Sequence, residues 1–248
     1  MNSIISIENL KKSFGEIKAV DNISFNVNKG ELFAFLGVNG AGKSTTINIL
    51  CGQLSKDEGK VIIDGISLDE DKSSLKRKIG VVFQESVLDG PLSVLDNLKS
   101  RGALYGLKGK VLDERINELA YLLNLNDLLK RQVNKLSGGQ KRRVDIARAL
   151  IHKPEIIILD EPTTGLDPQT RKNIWNVINN LRKTEGITVF LTTHYMEEAT
   201  DANYIVILDN GKITTEGSPV ELKNKYTRDS VILYGADENE VKKWALNI

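Results

Sequence analysis

Gly37-Val38-Asn39-Gly40-Ala41-Gly42-Lys43-Ser44-Thr45 comes directly after the apolar run Leu32–Leu36 and opens the helical pattern Lys43–Leu50. This stretch matches G-x-x-x-x-G-K-[ST], a loop that joins a buried strand to a helix and binds phosphate. Its glycines let several backbone N–H groups face one anion, and the start of the helix adds partial positive charge. The sequence therefore predicts an α/β fold with a phosphate-binding loop.

Two side chains of this loop add a full positive charge and a metal-binding hydroxyl to its backbone N–H groups. Lys43 brings a full positive charge to the β- and γ-phosphates of a nucleotide, and the Ser44 hydroxyl can bind Mg²⁺. The residues predicted to contact the nucleotide here are Asn39, Gly40, Ala41, Gly42, Lys43, Ser44 and Thr45.

A second apolar run, Ile156–Leu159, ends in the carboxylates Asp160 and Glu161. In open α/β sheets ligands bind at the carboxyl ends of the strands. Asp160 is predicted to hold Mg²⁺, directly or through water, and Glu161 to take a proton from attacking water. This pattern alone equally fits a strand that ends in solvated acids, but the phosphate loop upstream favours the catalytic interpretation.

Short β-branched runs alternate with helical patterns along the rest of the chain, which is typical of a parallel sheet with crossover helices. The other predicted strands are Ile4–Leu10, Ile23–Val27, Val61–Ile63, Ile79–Phe83, Thr188–Thr192 and Tyr204–Leu208, and the other predicted helices are Ser137–His152 and Arg171–Arg182. Leu92–Leu129 is rich in leucine at helical spacing and is predicted to be a helical insertion. The predicted fold class is thus α/β, a P-loop NTPase core with a mostly parallel sheet, an N-terminal antiparallel β part and a helical subdomain.

Composition limits the possible partners. The 34 Lys and Arg residues and 33 Asp and Glu residues leave a net charge of +1, which gives no general attraction to nucleic acid or acidic lipid. Cys51 is the only cysteine, so it forms no internal disulfide, and it is predicted to be a buried structural thiol. Residues 1–12 do not resemble a signal peptide, and the apolar runs are far shorter than the ~20 residues that span a bilayer. If the protein acts at a membrane, we expect it to do so from the surface, through a partner protein.

A further helix start lies upstream of the acidic strand. Leu136-Ser137-Gly138-Gly139-Gln140 precedes the helical run Lys141–Leu150, and Ser137 is a good N-cap. Ser137 and the two glycines are therefore predicted to form a second anion site. The alternative is an ordinary Ser-Gly-Gly cap, which does not explain its position just before the acidic strand.

At this point the sequence resembles the ABC ATPase family, over roughly the first 225 residues and with the family's motifs in order. The resemblance implies an ABC ATPase domain at 1–225 with a helical subdomain inserted at about 92–150, and a short extension at 226–248 packed on or near the core. It also implies ATP and Mg²⁺ as ligands. The motif residues that match the family are Gln84 of the Q-loop, Asp167 of the D-loop, the switch histidine His194, and Phe14 at the position that stacks on adenine.

The resemblance assigns roles to these positions. Glu161, His194, Gln84 and Lys43 are implied to be catalytic; Ser44, Gln84 and Asp160 are implied to hold the metal; and Phe14, Asp167 and the turn Ser137, Gly138, Gly139 and Gln140 are implied to contact the nucleotide. The chain has two helix-start anion sites but one lysine loop. The family resolves this with a dimer, in which one subunit's Ser137–Gly139 covers the ATP bound by the other. The second subunit is another copy or a paralogous ATPase.

Glu161–Pro168 and Thr193–Ala199 look like the corresponding segments of ATPase subunits of ABC-2-type exporters, the drug-resistance type included. This similarity implies a separate membrane-spanning permease, docked in a groove between the helical insertion and the Gln84 loop. It also implies a peripheral location at the cytoplasmic face of the cell membrane, and no nucleic-acid partner.

Two other classes share part of this pattern. A soluble ABC ATPase acting on the ribosome or DNA is the alternative, but the chain has one cassette and no sustained heptads. A GTPase or small-molecule kinase would share the phosphate loop without explaining Leu136–Gln140 or His194.

Overall fold

The computed structural model describes residues 3–226, and its strands form two sheets. The strands are β1 (Ser3–Phe14), β2 (Ile17–Asn28), β3 (Leu32–Gly37), β4 (Glu58–Ile63), β5 (Ile66–Ser67), β6 (Ile79–Val82), β7 (Ile156–Asp160), β8 (Thr188–Thr193), β9 (Tyr204–Asp209) and β10 (Lys212–Gly217). The α-helices are α1 (Lys43–Leu50), α2 (Lys72–Lys78), α3 (Val94–Leu104), α4 (Gly109–Leu122), α5 (Gly138–Leu150), α6 (Pro168–Glu185) and α7 (Pro219–Tyr226).

The larger sheet has the strand order β10-β9-β3-β8-β7-β6. All of its pairs are parallel except that of β9 with the edge strand β10. The smaller sheet, in the order β2-β1-β4-β5, is antiparallel throughout. The predicted fold class is therefore confirmed. Because the parallel strands run in one direction, the segments that follow β3, β6, β7 and β8 leave the sheet along one edge.

The central strand β3 shows why the two sheets stack. Leu32, Ala34 and Leu36 face one apolar cluster with the helices α3 to α6, while Phe33 and Phe35 face a second cluster with the antiparallel sheet. The Phe33 ring lies 5.1 Å from Phe25 of β2 and 5.1 Å from Phe190 of β8, measured between ring centroids. A strand covered on both faces is apolar at every position, which is why β3 shows no alternation in the sequence.

The predicted helical insertion contains two helices, α3 and α4, and the packing of both against α5 buries a leucine-rich interface. Ser93 caps α3 through the Asp96 N–H, and Gly106, at φ 82°, lies in the turn between the two helices. The division into domains stays a prediction. Apart from Tyr226, the predicted C-terminal extension lies outside the described residues.

Four elements, α2, β5, β10 and α7, were not predicted from the sequence. The helix α2 is short and mostly charged, β10 has a single aliphatic residue besides its glycine, and α7 lies in a segment dominated by polar residues. The strand β10 forms because it pairs with β9 across the two-residue turn Asn210-Gly211, in which both φ angles are positive. Such a turn is a local hairpin signal that sequence reasoning missed, whereas the composition of β10 itself is a weak signal.

Cys51 follows α1 and is partly rather than fully buried. Burial raises the pKa of its thiol to about 12, so the thiol stays protonated at neutral pH. The interpretation of Cys51 as a structural thiol agrees with this chemistry.

Gly80 of β6 allows the sheet to approach α5. A Cβ atom there would lie 2.3 Å from the Ala149 carbonyl oxygen, a backbone atom that has no room to move aside. We expect Gly80→Ala to lower the free energy of unfolding by about 1–3 kcal/mol, as overpacking does elsewhere. Urea denaturation of the purified chain measures the change.

Gly90→Ala is the matched control, because a Cβ at Gly90 would meet only the Asn134 Cβ, at an ordinary 3.7 Å. We expect its effect to stay within about 0.5 kcal/mol. Equal stability of the two variants would contradict the packing account of Gly80.

Candidate nucleotide site

The predicted residues of the lysine loop, the acidic strand end, His194 and Gln84 lie along one edge of the parallel sheet. The phosphate loop follows β3, Asp160 and Glu161 stand at the end of β7, His194 follows β8, and Gln84 comes two residues after β6. Since β8 pairs with both β3 and β7, the loop and the two carboxylates are held one strand apart. Parallel pairing thus brings together groups that are more than a hundred residues apart in the chain.

The loop needs glycine for a steric reason as well as for its turn. Gly42 has φ 106°, and a Cβ there would lie 2.3 Å from the Ala19 carbonyl oxygen of β2. The helix α1 then begins at Lys43 without any side-chain cap, whereas Ser93, Ser137 and Asp167 cap α3, α5 and α6. The first-turn N–H groups of α1 are therefore available to an anion from outside the chain.

The other loop residues differ in exposure. Asn39, Gly40 and Ser44 are exposed, Thr45 is partly buried and Ala41 is buried. The Ala41 carbonyl accepts a hydrogen bond from the Gly211 N–H, 3.0 Å away, which fixes the loop to the turn before β10.

Lys43 is the buried cation of the site, with 5% of its surface exposed. Its Nζ donates to the carbonyl oxygens of Gly37 and Val38, at 2.6 and 3.1 Å, and lies 3.8 Å from Glu161 Oε1. Burial lowers the pKa of Lys43, and the charges of Glu161 and Asp160 act against that shift. The Lys43 ammonium therefore points back to its own loop and lies close to the carboxylate that follows β7.

Asp160 is buried, and its Oδ1 accepts a 2.5 Å hydrogen bond from the Thr192 hydroxyl. Its Oδ2 accepts no hydrogen bond from the described residues. Burial is the main cause that raises the pKa of Asp160, and repulsion from Glu161 raises it further. The hydrogen bond from Thr192 and the charge of Lys43 lower the pKa. A cation at Oδ2 would offset that cost, since burial penalises the charged carboxylate.

Glu161 adopts a left-handed backbone conformation, with φ 45°. Such a conformation is uncommon for a residue with a side chain and costs of order 1–3 kcal/mol. Two hydrogen bonds hold it, because the Glu161 N–H donates to the Thr192 carbonyl at 3.0 Å and to the Thr192 hydroxyl at 3.2 Å. The strand β8 therefore sets the direction in which this carboxylate leaves β7.

The Glu161 carboxylate is the centre of the site's contacts. Its Oε1 lies 3.8 Å from Lys43 Nζ and 3.3 Å from His194 Nδ1, and its Oε2 accepts a 3.2 Å hydrogen bond from the Thr164 hydroxyl. Only 8% of Glu161 is exposed, whereas 32% of the His194 side chain is. The Lys43, Glu161 and His194 side chains thus lie close together at the N-terminus of the uncapped helix α1.

The oxygen donors at this edge fit Mg²⁺, which prefers hard oxygen ligands and usually keeps several waters. Asp160 offers its unbonded Oδ2, and the Ser44 hydroxyl is exposed on the first turn of α1. No cluster of three or more His, Cys, Asp or Glu side chains forms a metal cage within residues 3–226. The donor set therefore suits an ion that a nucleotide brings with it.

The Gln84 side chain is exposed, and hydrogen bonds from Arg142 hold its main chain. The buried Arg142 of α5 donates through Nη1 to the Phe83 carbonyl at 2.6 Å and through Nη2 to the Gln84 carbonyl at 2.7 Å. Burial lowers the pKa of Arg142, and the nearby Asp145 and Asp160 raise it. A bidentate guanidinium thus ties the Gln84 segment to α5, the helix that follows the predicted second anion site.

Phe14 stands at the tip of the β1–β2 hairpin, where it pairs with Ile17, and 51% of it is exposed. Lys12 Nζ lies 5.6 Å from the centroid of its ring. The same hairpin supplies the Ala19 carbonyl that touches Gly42. An open aromatic face therefore extends from the strand that borders the phosphate loop.

The turn before α5 forms a complete capping box. The Ser137 hydroxyl accepts from the Gln140 N–H at 3.3 Å, and the Gln140 Oε1 accepts from the Ser137 N–H at 3.0 Å. Both side chains are thereby used within the turn, while the N–H groups of Gly138 and Gly139 have no hydrogen-bond acceptor among the described residues. The predicted anion site at this turn would therefore consist of backbone N–H groups.

Asp167 lies beside this turn and caps α6, because its two carboxylate oxygens accept from the N–H and hydroxyl of Thr170 at 3.0 and 2.5 Å. A Cβ at Gly139 would lie 2.4 Å from the Thr170 Cγ2 atom. Glycine at this position therefore lets the two helix starts touch. The side-chain hydrogen bonds of Ser137, Gln140 and Asp167 all stay within this region, and none joins it to the loop around Lys43.

Sequence reasoning missed three side chains that shape the site: Thr192, Thr164 and Arg142. A signal for Thr192 existed, since the end of one parallel strand lies opposite the end of the next, and Asp160 pairs with Thr192. Arg142 gave no such signal, because a cationic residue near a helix start is ordinary and its partners are carbonyls 58 and 59 residues away.

Comparison with known proteins agrees with this geometry. A family model described as ABC transporter matches residues 20–164. The chain is 39% identical to the linearmycin resistance ATP-binding protein of Bacillus subtilis, over 92% of this chain and 74% of that protein. It is 39% identical to the Nod factor export ATP-binding protein I of Cupriavidus metallidurans, over 97% of this chain and 79% of that protein.

A solved structure shows the same fold. It is the dimeric post-hydrolysis state of an ATP-binding cassette bound to ADP and phosphate, with a TM-score of 0.78 and 33% identity over 86% of this chain and 98% of that one. The phosphate loop, the acidic strand and the matched family thus agree, and the chain belongs to the ABC transporter family, whose ATP-binding cassettes hydrolyse ATP to power transport.

Proposed function

We propose that this chain binds ATP with Mg²⁺ and hydrolyses it to drive an ABC-2-type exporter, which would move a drug, lipid, peptide or ion out of the cell. The observation that carries the proposal is the contact of Glu161 with both Lys43 and His194 beside the uncapped start of α1. The names of the two relatives refer to resistance and export, which supports an exporter.

In the proposed reaction the α1 N–H groups and Lys43 bind the β- and γ-phosphates. Lys43 Nζ would exchange its two loop carbonyls for phosphate oxygens, so the buried charge would stay paired. Glu161 takes a proton from the attacking water, and His194 holds the γ-phosphate. The left-handed backbone of Glu161 orients this carboxylate before the nucleotide arrives, so little reorganisation is needed.

The remaining ligands follow from accessibility. Ser44, Gln84 and Asp160 would hold Mg²⁺, which neutralises phosphate charge when it is bound. The exposed ring of Phe14 would stack on the adenine base, since it projects from the hairpin next to Gly42.

The active unit would be a dimer of cassettes, with a second copy or a paralogous ATPase as partner. The N–H groups of Gly138 and Gly139 are open to an anion, yet no side-chain hydrogen bond joins this turn to the lysine loop of the same chain. In a two-fold pair, this turn would cover the γ-phosphate bound by the partner. Ser137 and Gln140 would hold the turn in shape, and Asp167 would keep α6 beside it.

The partner in transport would be a separate membrane-spanning permease, with this chain peripheral at the cytoplasmic face of the cell membrane. Between residues 3 and 226 no helix has the length and hydropathy to cross a bilayer. A groove between α2, α3 and α5 ends at Phe83, next to Gln84, and offers the docking position that the resemblance implies.

Glu161→Gln tests the assigned chemistry. The amide keeps the shape of the side chain but cannot take a proton, so we expect ATP to bind and turnover to fall by about 10²-fold or more. Phosphate release measures turnover. Dimers should accumulate with ATP, because an uncleaved γ-phosphate would continue to contact both subunits. Turnover equal to that of the unmodified chain would remove Glu161 from its role.

Gly138→Asp tests the shared site. The variant keeps the Ser137–Gln140 capping box, and an acid in the first turn favours the helix. Its negative charge would repel the partner's γ-phosphate. In the Glu161→Gln background we expect ATP binding to each monomer to persist and ATP-dependent dimers, measured by light scattering, to disappear.

Gly138→Ala is the control for that variant, because it adds a Cβ without charge and the nearest atom would be Leu166 Cδ2 at 3.4 Å. Dimers that form equally well with Gly138→Asp and Gly138→Ala would argue against the shared site.

Membrane fractionation tests the assignment to transport. We expect the chain to sediment with membranes when its permease is co-produced and to stay in the supernatant without it. Sedimentation with ribosomes in place of membranes would support the soluble ABC ATPase instead.

A further inference from the structure

The His194 imidazole is held by few contacts. It follows β8 by one residue, and 32% of its side chain is exposed. Within residues 3–226 two polar or ring contacts hold it: Nδ1 lies 3.3 Å from Glu161 Oε1, and the imidazole stacks on the ring of Tyr195, with 4.0 Å between the centroids. Because the side chain can rotate about two torsions, the contact with Glu161 alone would not fix the plane of the ring.

The main chain of Tyr195 places its ring beside the imidazole. The Tyr195 N–H donates to the hydroxyl of the buried Thr193 at 2.9 Å, and the Tyr195 carbonyl accepts from the Glu198 N–H at 3.2 Å. The tyrosine side chain is only partly buried and belongs to neither apolar cluster of the core. Its hydroxyl makes no hydrogen bond to a described residue. Core packing and hydrogen bonding therefore do not account for an aromatic ring at this position.

Arg171 of α6 also contacts the Tyr195 ring. Its Cζ atom lies 4.8 Å from the ring centroid, a distance at which a guanidinium is attracted to an aromatic ring. The Arg171 Nε donates to the Leu166 carbonyl at 3.0 Å, and no carboxylate in the described part of the chain forms an ion pair with this arginine. Arg171 thus joins the segment that follows β7 to the segment that follows β8.

A separate hydrogen bond joins the same two segments. The Thr163 hydroxyl donates to the carboxylate of Glu198, and both residues are buried. This bond does not involve the imidazole or its neighbouring ring. The two segments therefore stay joined when the guanidinium or the tyrosine ring is removed, and the orientation of the imidazole can be tested by itself.

We propose that Arg171 and Tyr195 are positioning residues for ATP hydrolysis: Arg171 fixes the Tyr195 ring, and that ring holds the His194 imidazole against Glu161. A group that is oriented before the nucleotide arrives needs little reorganisation in the transition state. This inference rests on the proposed function of His194 and adds the two residues that orient it.

Proton NMR of the full chain without nucleotide tests the contacts directly, because the sequence has two histidines, His152 and His194. The Hε1 signal that disappears in His194→Ala belongs to that residue. The ring current of Tyr195 should displace this signal, so Tyr195→Leu should move it. Arg171→Met should move it too, although Arg171 is linked to the imidazole only through the tyrosine ring. The His152 signal should stay in place in both variants.

Two matched variants control for nonspecific effects. Lys172→Met removes a cation from the neighbouring position of α6 and introduces the same side chain as Arg171→Met, and Lys172 is exposed without an ion pair among residues 3–226. Tyr195→Phe keeps the ring and removes the hydroxyl. We expect the His194 signal of Lys172→Met to remain in place and that of Tyr195→Phe to remain displaced by the ring.

Hydrolysis of ATP, measured as phosphate release, separates positioning from folding. Tyr195→Leu and Arg171→Met should each lower kcat by about ten-fold, because a misplaced group slows the chemical step. The KM for ATP should stay within about two-fold, since the lysine loop is unchanged. In the His194→Ala background the same changes should lower kcat no further, because they act through the imidazole. Tyr195→Phe should retain at least about half of kcat, and thermal unfolding midpoints check that each variant folds.

The outcomes separate this inference from the proposed function. A His194 signal that stays in place in Tyr195→Leu or in Arg171→Met overturns the inference. Losses of kcat that multiply with the loss in His194→Ala also overturn it, because the two residues would then act elsewhere, and they leave the role of His194 intact. Full activity of His194→Ala overturns both.

If His194→Ala leaves no measurable hydrolysis, the NMR shifts and the single variants decide. A displaced His194 signal with a lowered kcat and an unchanged KM supports the inference. A displaced signal with an unchanged kcat overturns it.

Discussion

Parallel pairing of β8 with β3 on one side and β7 on the other is the constraint on which the site depends. It fixes the phosphate loop, the two acidic residues and His194 at one edge, with Thr192 between them. Without that register Lys43 would be a buried charge with only carbonyl partners, and Asp160 would lose its hydroxyl donor. Each buried charge is tolerable because the neighbouring strand supplies a counter-group or a hydrogen bond.

Much of this arrangement was accessible from the sequence because its signals are local. The run Leu32–Leu36 and the loop after it define β3 and the start of α1, and Ile156–Asp160 matches β7 residue for residue. The order of the motifs gave the family, and the comparisons confirm it. Buried parallel strands and glycine loops leave strong local patterns, so these elements were predicted at the correct positions.

What the sequence could not give depends on contacts distant in the chain. The left-handed Glu161 backbone follows from hydrogen bonds to Thr192, and the anchoring of the Gln84 segment follows from Arg142. The turn at Ser137 was predicted as an anion site with an ordinary cap as the alternative, and the structure contains the complete cap together with two free N–H groups. The capping box is therefore observed, and the anion site stays a prediction that this cap does not contradict.

Arg142 has a consequence for how two such chains would work together. It projects from the first turns of α5, the helix whose start would touch the partner's nucleotide, and it grips the main chain that carries Gln84 of its own site. A shift of that helix when the neighbour's γ-phosphate departs would drag Gln84 with it. Hydrolysis at one nucleotide site of the pair would then change the position of Gln84 at the other, so the two sites would be mechanically coupled.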